Sequence, residues 1–314
     1  MRKSEFLGLG RQGFHRIVYS EWGDPANTRI VICVHGLTRN RRDFDFLARH
    51  LADEFRVVCM DVVGRGESDW LANPGDYSFS QYQRDAAALV ARVTAPAPLG
   101  WFARLFPNAG YGSADFEINW VGTSMGGLIG MLFAAQPKSP IRRLVLNDVG
   151  PLVPWSGLIR LKGHAGRSKR FATLAEVEVF LRDACSPFGR LSSEQWGHLA
   201  EHGAQQEPDG SYALRYDPEI LRTLRSGGAL EGPRGERFLE GVDLWPVWDA
   251  LRCRILALRD AESDMLTQRT AREMEGRGPR ARVIEIPAVG HAPALMDIEQ
   301  VEPIRRFLLD QDRN

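Results

Sequence analysis

The sequence predicts an α/β protein built on a mostly parallel sheet flanked by helices, and three observations point to it. Apolar runs such as Arg29-Ile30-Val31-Ile32-Cys33-Val34 and Phe55-Arg56-Val57-Val58-Cys59-Met60-Asp61 lack the alternation of a half-exposed strand, as expected of strands covered on both faces. Between them Phe44, Leu47, Ala48 and Leu51 recur at helical spacing, so the two runs and this helix form a short right-handed βαβ crossover. Further on, Gly122-Thr123-Ser124-Met125-Gly126 joins the run Ile118-Asn119-Trp120-Val121 to a buried helical stretch, Gly127 to Ala135. A strand, a sharp turn and a helix is the setting in which a Gly-x-Ser-x-Gly motif exposes its serine.

Composition narrows the function classes. A length of 314 residues fits one large α/β domain with an insertion as well as it fits two domains. Lysine plus arginine equals aspartate plus glutamate at 40 each, which argues against a general polyanion-binding surface, so no nucleic-acid partner is expected. The basic N-terminal residues have no apolar h-region after them, and no run reaches the roughly 18 apolar residues of a membrane span. The expected location is cytoplasmic. Cys33, Cys59 and Cys253 lie in strand-like runs with no metal-ligand spacing, as buried free thiols.

In chain order, His15 to Gly23 alternates like a half-exposed strand and is expected at an antiparallel edge. The strand at 29–34 ends on His35-Gly36-Leu37-Thr38, and the strand at 55–61 on the glycine-punctuated loop Asp61-Val62-Val63-Gly64-Arg65-Gly66-Glu67-Ser68-Asp69. A helix follows from about Ser80 to Val93. Residues 95–117, with prolines, glycines and Trp101, Phe102, Leu105 and Phe106, fit neither period and read as an insertion. After the serine motif, Arg143 to Val149 is another buried strand with Asp148 at its end. From 151 to 245 strand-like runs give way to charged helical patterns, such as Leu174 to Leu181 and Ile220 to Leu224, which suggests a helical cap. The core pattern returns with a strand at Cys253 to Leu258, a helix at Thr267 to Glu275, a strand at Arg282 to Pro287, the Gly290-His291 loop and a C-terminal helix.

A serine hydroxyl needs a base to take its proton and commonly a third group to orient that base. Of seven histidines, only His35 and His291 directly follow buried parallel strands, at the edge where such sheets place their sites. His291 is the better base, and His35 is expected to order its own loop. Three aspartates end strands: Asp148, Asp260 and Asp264. The sequence favours Asp264, whose loop can reach the His291 loop, with Asp148 as the alternative acid; Asp260 and Glu262 read as solvated turn residues. The developing oxyanion needs two N–H donors, for which Met125 and Leu37 are placed. Arg39 and Trp155 are candidate pocket residues, and Phe171, Phe180, Phe188 and the aromatics of the insertion suit packing better than substrate contact.

Val34-His35-Gly36-Leu37, the Asp61 to Ser68 loop, Gly122 to Gly127, the Ser263-Asp264 loop and Gly290-His291 together resemble, in order, the motifs of the α/β-hydrolase superfamily. The resemblance covers 1–150 and 246–314. It implies the α/β-hydrolase fold, a mostly parallel eight-stranded sheet with an inserted helical cap at 151–245, and the triad Ser124, Asp264 and His291 with Leu37 and Met125 as oxyanion donors. It implies no metal or organic cofactor. The elbow serine disfavours relatives with an aspartate nucleophile, and Ala292-Pro293 after the histidine, where many carbon-carbon hydrolases carry tryptophan, disfavours that chemistry. The expected activity is hydrolysis of small or medium carboxylic esters through an acyl-enzyme. Alternatives are a carbon-carbon hydrolase, thioesterase or acyltransferase with the same triad, or a ligand-binding relative without catalysis. A small-molecule ester is the expected partner, and a homodimer through the aromatic insertion is a candidate assembly.

Overall fold

The computed structural model of the chain describes residues 1–95, 115–164, 169–185, 189, 191–220, 241–287 and 291–309, with only the backbone of 160–164. It opens on a hairpin, β1 (Arg2–Gly10) and β2 (Gly13–Trp22), paired antiparallel along its length. Next come β3 (Arg29–Val34), α1 (Asp45–Leu51), β4 (Arg56–Met60), α2 (Phe79–Thr94), β5 (Glu117–Thr123), α3 (Met125–Ala134) and β6 (Ile141–Asn147). The chain then leaves the main sheet for β7 (Leu152–Pro154), α4 (Trp155–His164), β8 (Arg170–Phe171), α5 (Leu174–Ala184), α6 (Ser193–Gly203), β9 (Ala204–Gln206), β10 (Tyr212–Leu214) and β11 (Gly241–Asp243). It returns through α7 (Trp245–Ala250), β12 (Arg254–Asp260), α8 (Gln268–Gly276), β13 (Arg282–Ile286) and α9 (Ile298–Leu308).

Eight strands form the main sheet in the order β1-β2-β4-β3-β5-β6-β12-β13, parallel from β4 to β13. This is the expected mostly parallel, eight-stranded α/β-hydrolase sheet. Both faces are buried, which accounts for the unbroken apolar runs. Ile30, Ile32 and Val34 face a core shared with Leu89 of α2 and Ile129 of α3. The intervening Val31 and Cys33 face a second core with Leu47 and Leu51 of α1 and Ile304 and Phe307 of α9. The βαβ crossovers place α2 and α3 on one side and α1 and α9 on the other. The strands' C-terminal ends, with the loops after Val34, Met60, Thr123 and Asn147, therefore collect along one edge.

Two expectations need correction. The sheet edge is β1 rather than the 15–23 strand, which lies one position inside it. Of β1 only Gly8 is buried, so its sequence shows too little apolar alternation to be read as a strand. The 151–245 segment also contains strands as well as helices: β8, β10 and β9 form a three-stranded sheet, and β7 pairs with β11. Strands of two or three residues carry no readable period. Trp101, Phe102, Leu105 and Phe106 of the insertion, Phe188, the stretch 221–224 and Gly290 lie outside the described residues.

Candidate active site

The turn between β5 and α3 is built by its glycines. A Cβ on Gly126 would stand 1.9 Å from the Val34 carbonyl oxygen, and one on Gly122 would stand 2.4 Å from the Gly126 backbone. Only hydrogen fits at either position. Ser124 itself adopts φ 50 and ψ −115, a conformation that side chains rarely take and that costs on the order of 1–3 kcal/mol. Gly126→Ala should therefore lower the unfolding free energy by at least about 3 kcal/mol, the upper range of overpacking, as read by urea denaturation.

His291 bridges two groups. Its Nε2 lies 3.0 Å from Ser124 Oγ and its Nδ1 lies 2.6 Å from Asp148 Oδ2. Asp148 also accepts from the Asp260 N–H at 3.1 Å and the Ser263 hydroxyl at 2.6 Å. A carboxylate at Nδ1 assigns the proton to that nitrogen, which leaves Nε2 to accept the serine hydroxyl's proton. Asn147 stitches these parts together. Its backbone oxygen accepts the Ser124 N–H, and its Nδ2 donates to Thr123 Oγ1 and to the Pro293 carbonyl of the histidine loop.

The aspartate that meets His291 departs from the favoured expectation. Asp148, the alternative, meets His291, and Asp264 does not, because β6 lies directly beside β5 whereas β12 is one strand further out. The residue just after β6 is held at φ 54 beside the elbow, and from the 260–264 loop it is the Ser263 side chain that reaches Asp148. Asp264 stands instead near α4, its carbonyl 3.2 Å from where a Cβ on Gly157 would lie. Asp260 is not the solvated turn residue expected: it is fully buried at the end of β12, and none of the described residues hydrogen-bonds its carboxyl oxygens. Burial, reinforced by Asp148, pushes its carboxyl well above the usual carboxylate range.

The loop after β3 borders the elbow: a Cβ on Gly36 would lie 3.8 Å from Ser124 Cβ. Met125 opens α3, where first-turn amides lack intrahelical acceptors. Arg65, a residue to which the sequence assigned no role, touches both expected oxyanion residues. Its Nε donates to the Leu37 carbonyl at 2.9 Å and its Nη2 approaches Met125 Sδ at 3.5 Å. It is fully buried, with Nη1 on the Val63 carbonyl and the Tyr82 hydroxyl. The signal that could have found it is an arginine between two glycines at a strand end, for Gly64 and Gly66 both take positive φ there.

A family model described as the alpha/beta hydrolase family matches residues 31–304. The chain belongs to that family. A Cupriavidus necator protein named 3-hydroxybutyrate-oligomer hydrolase is 40% identical over 298 residues, which cover 94% of this chain and 93% of that one. Two solved structures superpose on the hydrolase. One, from Rickettsia typhi, has a TM-score of 0.83 at 28% identity over 99% of each chain, and an alpha/beta hydrolase from Novosphingobium aromaticivorans has a TM-score of 0.78 at 32% identity over 98% of each. With relatives named as hydrolases and esterases, the chain is an enzyme.

In this hydrolase His35 binds within its own loop region. Its Nδ1–H donates to the Gly36 carbonyl at 2.7 Å and its Nε2 accepts the Val62 N–H at 3.0 Å. Complete burial lowers its pKa to about 3. An unfolded histidine takes up a proton below about 6.5, so this burial favours the folded state less and less as pH falls through that window. His35→Asn removes the effect. The stability advantage of the native chain over the variant should shrink by about 1.4 kcal/mol per pH unit below pH 6.5, measured by urea titration at several pH values.

Arg39 is buried with its guanidinium clasping Asp43 at 2.7 Å through two nitrogens, and its Cγ is 3.9 Å from where a Gly36 Cβ would lie. Trp155 begins α4 and is 45% exposed. Cys33, Cys59, Cys185 and Cys253 are all free thiols. Among the described residues no helix is long and apolar enough to cross a membrane.

Proposed function

We propose that this hydrolase is a serine esterase in which Ser124 is the nucleophile, His291 the general base and acid, and Asp148 the group that orients it. The observation that carries the reading is His291 held between Ser124 Oγ and Asp148 Oδ2. Ser124 Oγ bonds to the ester carbonyl carbon as His291 Nε2 takes the hydroxyl proton. The carbonyl oxygen becomes an oxyanion facing the Leu37 and Met125 amides, an arrangement whose single donors are worth about 3 kcal/mol each. Collapse breaks the bond to the alcohol oxygen, which leaves with the proton from His291. Water then adds to the acyl-enzyme, giving its proton to the same nitrogen, and the acid is released as Ser124 recovers its hydroxyl. The segment 151–245 acts as a cap over this edge, with Arg39 and Trp155 bordering the pocket.

The substrate class proposed first is short linear esters of small hydroxy acids. The support is the Cupriavidus necator relative's name and its match along nearly the whole chain. Dimers and trimers of 3-hydroxybutyrate, simple p-nitrophenyl esters, an acyl thioester and a ring-fission dienoate should be compared by kcat/KM. The reading expects the hydroxy-acid oligomers to lead. Preference for the thioester or the dienoate would replace it with the corresponding alternative.

A further inference from the structure

Outside the Ser124, His291 and Asp148 set, α6 carries His198 and His202 four residues apart, so the two imidazoles leave the same face of one helix. Their rings pack edge to face with centroids 4.5 Å apart. Facing them is Asp45, the first residue of α1. One nitrogen from each histidine and one oxygen of Asp45 lie within 4.8 Å of one another. Two imidazoles at i and i+4 with a carboxylate from a second element form a donor set suited to zinc and neighbouring divalent ions.

Two further features favour a cation here. Asp45 is almost wholly buried, a setting in which a carboxylate needs a cation or hydrogen bonds to hold its charge, and His198 Nε2 lies 3.7 Å from its Oδ2. The space among the three groups is already held by a positive charge. Arg42 places Nε 2.7 Å and Nη2 2.5 Å from Asp45 Oδ2, and Nη1 3.4 Å from His202 Nδ1.

We propose that Asp45, His198 and His202 form a binding site for a divalent transition-metal ion, which takes the position the Arg42 guanidinium holds in its absence. Arg42 is 22% exposed and can turn outward to solvent. His198 exchanges its Nε2 hydrogen bond to the Arg42 carbonyl, 3.0 Å long, for the ion. Water completes a tetrahedral shell. The ion would join α6 to the start of α1, close to where Asn40 Nδ2 already bonds the His202 carbonyl at 2.9 Å. It would thereby pin the 151–245 segment to the loop that follows Leu37. The ion takes no part in the proposed hydrolysis, whose proton transfers run through Ser124, His291 and Asp148.

The test is calorimetric titration of chelator-treated full-length protein with Zn²⁺, paired with Co²⁺ titration followed by visible absorption. Native protein should bind one Zn²⁺ at the site, and Co²⁺ should show the intense bands of a tetrahedral ion. The double variant His198→Gln, His202→Gln should lose that binding, with its fold checked by circular dichroism. Arg42→Met, which removes the competing cation, should bind Zn²⁺ more tightly by at least about tenfold, within the range that groups around a metal site exert. No saturable Zn²⁺ uptake by the native protein, uptake by the double variant equal to native, or weaker binding by Arg42→Met would each overturn the proposal.

Discussion

Ser124→Ala should lower kcat for p-nitrophenyl ester hydrolysis by roughly a millionfold, the scale seen when the serine of a catalytic triad is deleted. The fold should survive. The serine's Oγ is hydrogen-bonded to His291 Nε2, and the strained backbone at φ 50 is imposed by Gly122, Gly126 and the Asn147 carbonyl rather than by the hydroxyl. Alanine meets the same backbone with the same Cβ. Circular dichroism and urea midpoints should therefore match the native protein, within about 1 kcal/mol for one lost hydrogen bond. Turnover that persists in a folded variant would mean that the reaction does not run through this serine.

Asp148→Asn should cost about 10⁴-fold in kcat, as loss of the orienting carboxylate does in other triads, while Asp264→Asn should cost far less. Asp148 Oδ2 accepts from both the Ser263 hydroxyl and His291 Nδ1, and Oδ1 accepts the Asp260 amide. An amide has one acceptor atom for these three donors, so in either orientation an N–H group confronts another donor. The imidazole loses the acceptor that fixes its tautomer, and the imidazolium loses its counter-charge. Steady-state kinetics of the two variants side by side decide the matter. A larger loss in Asp264→Asn would return the acid to the β12 loop.

Most of the fold was legible because its signals are periodic. Ile30 to Val34 faces two cores in alternation, and an unbroken apolar run is the direct imprint of that burial. The elbow was legible because Gly122 and Gly126 leave no room for a Cβ, a constraint written in residue type alone. The aspartate that meets His291 was not, since the choice between Asp148 and Asp264 depends on which strand lies beside β5. Sheet order is a three-dimensional property, and both aspartates follow strands of the same kind. Asn147 and Arg65 were missed for a related reason. Each acts by joining loops far apart in sequence, Asn147 to Pro293 and Arg65 to Leu37 and Met125, and nothing near either residue announces its distant partner. His198 and His202 drew no notice in the sequence, because Asp45 lies more than a hundred residues away and meets them only when α6 packs against the turn 41–44 that precedes α1.

The central claim is that hydrolysis passes through an ester on Ser124, with His291 serving both halves of the reaction. Rapid-quench mass spectrometry of the enzyme mixed with a p-nitrophenyl ester tests it most directly. An adduct of the acyl mass on the peptide containing Ser124, formed and lost at rates that match turnover, is the predicted result. An adduct on another residue, or turnover with no acyl-enzyme formed, would contradict it.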